Sequence, residues 1–323
     1  MQNTDNIVQK RKETPLAPTG KIRRLLQNEN FQCYVLAAVP LFLVLLFCYV
    51  PMFGLVIAFK DYKYSQGIFG SKWVGLENFK FLVLSNDFPR ITWNTVYMHF
   101  LNMIVGTASA IVVGILLYNL SSRRATKLYQ TLMITPNFLS WVVVSYMAYA
   151  ILQPQYGVLN QIITAFGGQS VDWYSKPKAW PAILVTANTW KKIGMSSIYY
   201  YATLMSMDTS LLEACRVEGG NRYHEIRHVM IPHLVPLIVV LTIMTFGDMF
   251  RADFGLFYQV TRNVGALYET TDVLDTYIFR TMRVIGDMGL SSAAGFLQSV
   301  VGLILVTLVN TIVKKIDPEK SLF

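Results

Sequence analysis

Apolar, uncharged runs alternate with polar, charge-bearing segments along the whole chain. Tyr34 to Phe59 holds 26 residues without a charge, and a hydrocarbon core about 30 Å thick is crossed by about 20 apolar residues in helix. Comparable runs at Tyr97 to Leu120, Thr131 to Leu152, Pro181 to Met205, Pro232 to Phe250 and Leu290 to Val313 raise the predicted number of spans to six. Each is expected to be helical, because lipid offers no partner for a free backbone amide. The first run is too long for the apolar stretch of a cleaved signal peptide and is expected to stay as an anchor. Pro40 and Pro51 predict that it is tilted or kinked. Lys191 and Lys192 interrupt the fourth run, where each costs about 2.5–3.5 kcal/mol at a helix centre. A lysine pair there needs either a route to the surface or a role in a cavity.

Composition supports this reading. Hydrophobic residues make up 53% and charged residues 15% of the 323, against roughly 25% charged in soluble domains. Disorder, collagen-like repeats and coiled coils are excluded on the same grounds. The net charge of +9 would suit nucleic acid only if it were clustered on one surface; here it is spread between apolar runs. With the N-terminus inside, the inner segments 1–33, 121–130, 206–231 and 314–323 hold 15 Lys and Arg, against 11 in the longer outer segments. That bias places both termini in the cytoplasm, with Lys10, Arg11, Lys12, Lys21, Arg23 and Arg24 as its strongest contributors. The expected organisation is a basic cytoplasmic tail (1–33), a first helix and outer loop (34–96), a five-helix core (97–313) with a cytoplasmic loop at 207–231, and a C-terminal cytoplasmic tail (314–323).

Small residues recur at helical spacing in two runs: Gly106, Ala110 and Gly114 in the second, Ser292, Gly295, Ser299 and Gly302 in the sixth. Such stripes let helix backbones approach closely in lipid. Cys33, Cys48 and Cys215 lack both pairing and metal-ligand spacing and read as packing residues.

The inner loop from Met207 to Met230 carries the most specific chemistry. Ser210-Leu211-Leu212-Glu213 fits a capping box that would open a short helix. Gly219-Gly220 suits its stop at positive φ. Asn221 is placed to cap a second segment, Arg222 to Val229, and Pro232 falls in the first turn of the fifth span. A short helix across the inner end of a bundle is the shape of a docking peg for another protein.

The spacing E-A-A, three residues, G, nine residues, I-x-L-P stands here as Glu213-Ala214-Cys215, Gly219 and Val229-Met230-Ile231-Pro232. In this it resembles the signature loop of permease subunits of binding-protein-dependent ABC importers. Cys215, Val229 and Ile231 are mild departures, as is Glu218-Gly219-Gly220 where the family usually has D-G-A. The lead-in with Trp190, Gly194 and Leu204 is similar as well. Phe257-Tyr258-Gln259-Val260 and Thr271-Asp272-Val273 to Asp317-Pro318-Glu319 look like the carbohydrate-uptake branch that includes the lipoprotein-named polysaccharide permeases. The resemblance covers residues 30–323. It implies an all-α, type I importer permease fold in a bacterial cell membrane. It also implies a second, homologous permease, a pair of cytoplasmic ATPases that accept the loop helix in a cleft, and an extracytoplasmic solute-binding protein. Ser210, Leu212, Glu213, Ala214, Cys215, Glu218, Gly219, Gly220 and Pro232 are then the coupling residues. No G-x-x-x-x-G-K-[ST] occurs, since the only Gly-Lys pair, Gly20-Lys21, precedes Ile22. ATP and magnesium are therefore expected on the partner, with no cofactor, metal or catalytic residue on this chain.

His224-Glu225-Ile226-Arg227-His228 offers a rival from another class, since H-E-x-x-H on a helix holds zinc in metalloproteases. Arg227 among the ligands, the lack of an obvious third ligand and the position inside the permease signature speak against it. A passive channel is a further alternative. For an importer, polar groups near the bilayer midplane are candidates to meet cargo: Asn188, Trp190, Lys191 and Lys192 in the fourth span, and Asp248 and Arg251 at the outer end of the fifth. Trp141 and Tyr146 are weaker ones. Aromatic faces suit sugar rings and the cations suit acidic saccharides. The outer loop with Tyr258, Arg262, Tyr268, Asp272 and Asp275 is a candidate contact for the binding protein.

Overall fold

The computed structural model describes residues 29–317, so most of the basic tail and the last six residues lie outside the described residues. The chain divides into two units, Met1–Leu55 and Val56–Phe323. Helix α1 runs Glu29–Val44, widens through a π turn at Leu45–Tyr49, and becomes a tighter 3₁₀ stretch over Val50–Phe59. Pro51 stands at the head of that stretch, where it lacks the amide an α-helix requires. The first span thus changes helix type along its length.

In the larger unit, two short antiparallel strands, β1 (Lys60–Asp61) and β2 (Lys72–Trp73), form a hairpin. Phe59 seals its base against Trp73, Phe79 and Phe296. Helix α2 (Glu77–Leu84) leads to α3 (Phe88–Tyr118), then α4 (Arg123–Ile134), α5 (Trp141–Leu152), α6 (Val158–Ala165) and α7 (Trp180–Met205). The inner loop holds α8 (Ser210–Val217). A helical turn and a π segment, Glu225–Met230, then run without a break into α9 (Ile231–Gly247). The segment from Arg222 is therefore the inner end of the fifth helix, not a separate element. Helices α10 (Leu274–Arg280) and α11 (Met288–Ile316) complete the chain.

Among the described residues, four helices are long and apolar enough to cross a membrane: Leu36–Phe59, Phe88–Tyr118, Arg222–Gly247 and Met288–Lys315. The third predicted span is broken. Arg123–Phe138 and Trp141–Leu152 meet at 98°, after Pro136 opens the way to a 3₁₀ turn and Ser140 accepts the Val143 amide to start a new helix. Helix α7 has the length of a span but, with Asn188, Lys191 and Lys192, not the apolar composition.

The small-residue stripes are used unevenly. A Cβ on Gly114 would come within 2.9 Å of the Tyr200 Cβ, so α3 and α7 lie nearly in backbone contact. A Cβ on Gly302 would likewise come within 2.9 Å of the Gly247 carbonyl oxygen, whereas Gly106 and Gly295 have open space.

One charged cluster pins the outer segment after α9 to α3. Asp272 is wholly buried and takes two hydrogen bonds from the Arg280 guanidinium, at 3.1 and 2.7 Å, and one from Thr276. Asn94 of α3 donates to the carbonyls of Glu269 and Asp272, and the Leu274 amide donates to Thr95. A buried Asp272 cannot meet a binding protein, which removes it from the expected docking contacts. Breaking a buried pair leaves one charge uncompensated. Arg280→Ala is expected to cost about 3–5 kcal/mol of stability, read as a lowered unfolding temperature of the purified protein in detergent, with Arg280→Lys falling between it and the parent.

Candidate functional site

Two places on the larger unit gather the sequence candidates. The first is a cavity of about 370 Å³ walled by α3, α7, Thr245 of α9 and residues 251–257. Asn188 of α7 donates to the Asn102 side-chain oxygen of α3 at 2.8 Å, tying the two walls together. Lys192 reaches Asp253 at 3.1 Å. Three polar atoms in this wall, His99 Nε2, Asn188 Oδ1 and Thr189 Oγ1, are buried without a hydrogen-bond partner. Orphaned polar atoms carry a desolvation penalty, and all three are closed off from solvent, so they lie in the helix packing behind the cavity wall and not in its open space. The charged wall residues are Lys192, Arg251 and Asp253, a surplus of one positive charge.

Asn188, Lys192 and Arg251 thus line the cavity, while Asp248 lines two recesses beside it. Trp190 and Lys191 do not. Trp190 stands in an apolar groove with Met147 and Ile183. Lys191 is 7% exposed, donates to the Asn137 carbonyl at 2.7 Å and sits over the Trp141 ring. It caps the break between α4 and α5 and does not snorkel to a surface. Adjacent helical residues project about 100° apart, so the two lysines serve different neighbours. The break is clamped from both sides, because a Cβ on Gly194 would overlap the Met133 carbonyl and one on Gly255 would overlap Trp141. Tyr146 is exposed and outside the cavity lining. Sequence reasoning missed His99, Asn102, Thr189 and Asp253. An ionisable His99 near the start of an apolar run was the available signal.

The second place is the inner loop. Helix α8 starts at Ser210, inside the expected capping box rather than after it. Asp208 performs the capping by accepting the Ser210 amide at 2.9 Å. That bond and the Ser210 hydroxyl hold the Asp208 carboxyl below its ordinary range. The helix ends as expected: Gly219 takes φ +82°, and the Gly220 amide closes onto the Cys215 carbonyl at 2.9 Å. Asn221 accepts the His224 amide, capping the next segment. Leu212 is buried among Ala110, Tyr200, Leu204, Met230 and Leu234, rooting α8 in the feet of α3, α7 and α9. Leu211 and Val217 are 52% and 88% exposed, and Glu213, Ala214 and Glu218 are exposed beside them. A short helix with one face rooted and an apolar face bare is suited to fit a partner's cleft.

The H-E-x-x-H residues are otherwise engaged. Glu225 is buried and accepts from Arg216 at 2.6 Å, with Arg222 at 3.5 Å. The contact holds the Arg216 guanidinium above its usual range. His224 Nδ1 meets the Asn221 side chain. A buried glutamate held by one arginine at 2.6 Å and flanked by a second is not placed as a free base between the two imidazoles, and no third His, Cys, Asp or Glu joins them among the described residues.

Residues 110–320 match the family model described as the binding-protein-dependent transport system inner membrane component. The chain is 32% identical to the polygalacturonan/rhamnogalacturonan transport system permease protein YteP of Bacillus subtilis (strain 168), over 92% of this chain and 91% of that protein. It is 29% identical to Protein LplB of the same organism, over 97% and 98%. Among solved structures it is similar to a chain of a bacterial ABC transporter involved in the import of the acidic polysaccharide alginate, with TM-score 0.82, 29% identity and coverage of 91% and 99%. It is also similar to a chain of a bacterial alginate ABC transporter in complex with alginate pentasaccharide-bound periplasmic protein, with TM-score 0.80, 29% identity and coverage of 89% and 95%.

The two lysines separate in one experiment. Lys191→Met orphans the Asn137 carbonyl and is expected to destabilise by about 1–3 kcal/mol. Lys192→Met leaves a partly exposed Asp253 and is expected to change the unfolding temperature little. A thermal melt of the two purified variants checks the contrast.

Proposed function

The chain belongs to the family of binding-protein-dependent transport system inner membrane components, and from this membership, which makes it a membrane permease subunit of an importer and not an enzyme, we propose that it moves an acidic oligosaccharide. The observation that carries the cargo class is the cavity wall. Its surplus cation suits a sugar carboxylate, and the polar residues of its lining, Asn102, Thr107 and Ser196, suit ring hydroxyls. Lys192, Arg251 and Asn188 are its contacts in this reading, with Asp248 at the margin and His99 added. Trp190 and Lys191 are left out because they face elsewhere. The names of YteP and of the alginate importers, each a carrier of an acidic polysaccharide, favour the same class.

In this reading the chain crosses the membrane six times with both ends in the cytoplasm. The bent pair α4 and α5 forms the third crossing and α7 the fourth. The composition of α7 is consistent with that, because Lys191 bonds a carbonyl and Lys192 an aspartate, so neither meets lipid. The segments 1–33 and 314–323 are the cytoplasmic tails, and 97–313 is the core beside a first helix and outer loop at 34–96. The loop 207–231 is the docking peg. Its exposed face, Leu211, Glu213, Ala214 and Glu218, meets a cytoplasmic ATPase, one of a pair that binds ATP and magnesium. Leu212, Cys215, Gly219, Gly220 and Pro232 hold the peg in shape, with Ser210 at its first turn. A second homologous permease completes the membrane part, and a solute-binding protein delivers cargo from outside. Closure of the ATPases pushes the peg, and the helices rooted on it change the side to which the cavity opens.

Two outcomes test these assignments. Tagged chain purified from native membranes is expected to recover a Walker-containing ATPase and a second permease. Gly219→Val, which forces a β-branched residue to positive φ at about 1–2 kcal/mol or more, is expected to abolish uptake while membrane insertion persists; normal ATP-driven uptake by that variant contradicts the coupling role. For cargo, Lys192→Ala with Arg251→Ala is expected to lower uptake of oligogalacturonates at least tenfold (about 1.4 kcal/mol) with less effect on a neutral oligosaccharide. Equal loss for both sugars overturns the acidic assignment.

A further inference from the structure

Among the described residues of the loop between α7 and α9, Glu225 is a buried carboxylate with an unusual environment. Its side chain is 4% exposed and lies at the first residue of a π segment, between the peg and the fifth helix. One carboxylate oxygen accepts from the Arg216 Nε of α8 at 2.6 Å. The other has no hydrogen bond and faces Arg222 at 3.5 Å. Arg222 in turn donates to the Asn119 side chain at 2.6 Å, and the Asn119 amide donates to the Ile115 carbonyl, closing the inner end of α3.

From this geometry we infer that Glu225 is a positioning residue which joins the docking helix to the inner end of α3, so that displacement of α8 is passed to a wall of the cavity. The inference rests on the docking role given to α8 above. Three elements meet at the junction: α8 through Arg216, the foot of α9 through Glu225 and Arg222, and α3 through Asn119. Apolar packing also roots α8 through Leu212, but such contacts slide readily, whereas a charge-assisted hydrogen bond holds its direction. Helix α3 continues from Asn119 to the cavity residue Thr107, about 18 Å at 1.5 Å per residue. The half-satisfied carboxylate leaves room for a second arrangement, because Arg222 can close on the free oxygen when it releases Asn119. A π segment inside a helix frequently marks such a place.

The test uses the intact transporter, purified with its partners and placed in vesicles. A cysteine at Thr107, in a background without the three native cysteines, reports cavity exposure through its labelling rate by a water-soluble maleimide, with and without ATP and vanadate. This readout needs no knowledge of the cargo. The parent is expected to show a nucleotide-dependent change in rate. Glu225→Gln, which removes the charge that assists the bond from Arg216 and draws Arg222, and Asn119→Leu, which removes the acceptor of Arg222, are each expected to shrink that change about fivefold or more, with ATPase recovery kept. Asn119→Asp still accepts from Arg222 and is expected to retain it. If both breaking variants respond like the parent, the junction transmits nothing and the proposal falls while the docking role stands. If Glu225→Gln sheds the ATPase and Asn119→Leu behaves normally, Glu225 only shapes the peg and the proposal also falls. If the parent recovers no ATPase or shows no nucleotide response, the docking role itself fails and takes this inference with it.

Discussion

The near-contact of α3 and α7 is the constraint on which the rest depends. Inside a bilayer, helices gain nothing by hiding apolar surface from lipid, so they associate by close packing and by a few polar bonds. Gly114 supplies the first, since no side chain separates α3 from the Tyr200 turn of α7. The bond between Asn188 and Asn102 supplies the second, about three turns further out. Residues of both helices between and beyond these two points line the cavity, which Thr245 and residues 251–257 complete. At the inner end the same pair, with the foot of α9, forms the apolar socket of Leu212. A single helix pair therefore carries both a wall of the cavity and the base in which α8 is rooted.

Charge within the membrane-crossing part is settled by partners rather than by access to water. Lys191 and Lys192 are neighbours in sequence, yet one is spent on a backbone carbonyl exposed by a helix break and the other on Asp253 at the cavity. The break and the buried lysine require each other. A bend of 98° leaves carbonyls of the Thr135–Phe138 turn without helical partners, and a cation at 2.7 Å satisfies one of them. Trp141, packed between that cation and Gly255, fills the space the bend opens.

Much of this was legible in the residue order where local rules act alone. The apolar runs marked the positions of the long helices, Gly219 and Gly220 marked the stop of α8, and Asn221 its next cap. The capping assignment at Ser210 slipped by a few residues because Asp208, Thr209 and Ser210 are all competent caps and only tertiary packing of Leu212 chooses among them. The bend before Trp141 had its signal in Pro136, masked by the apolar residues on both sides. What could not be read was direction. A helical run shows that Asn188, Trp190, Lys191 and Lys192 are unusual, but not which neighbour each faces, and that depends on helices distant in sequence. His99 was passed over for the opposite reason, as one polar residue in a convincing span.

The H-E-x-x-H pentapeptide shows what separates a motif from a site. Its spacing does place the two imidazoles one turn apart, with ring centroids 5.8 Å from each other. Metal chemistry further requires a free base and a third ligand, and both are decided by the surroundings. Arg216, nine residues before Glu225, takes the carboxylate at 2.6 Å, while Asn221 engages the first imidazole. The same glycine turn that ends α8 brings Glu225 onto Arg216, so the geometry that shapes α8 also removes the base a hydrolase needs. The permease signature and the apparent zinc motif overlap in sequence, and the surroundings of Glu225 leave the second without its chemistry.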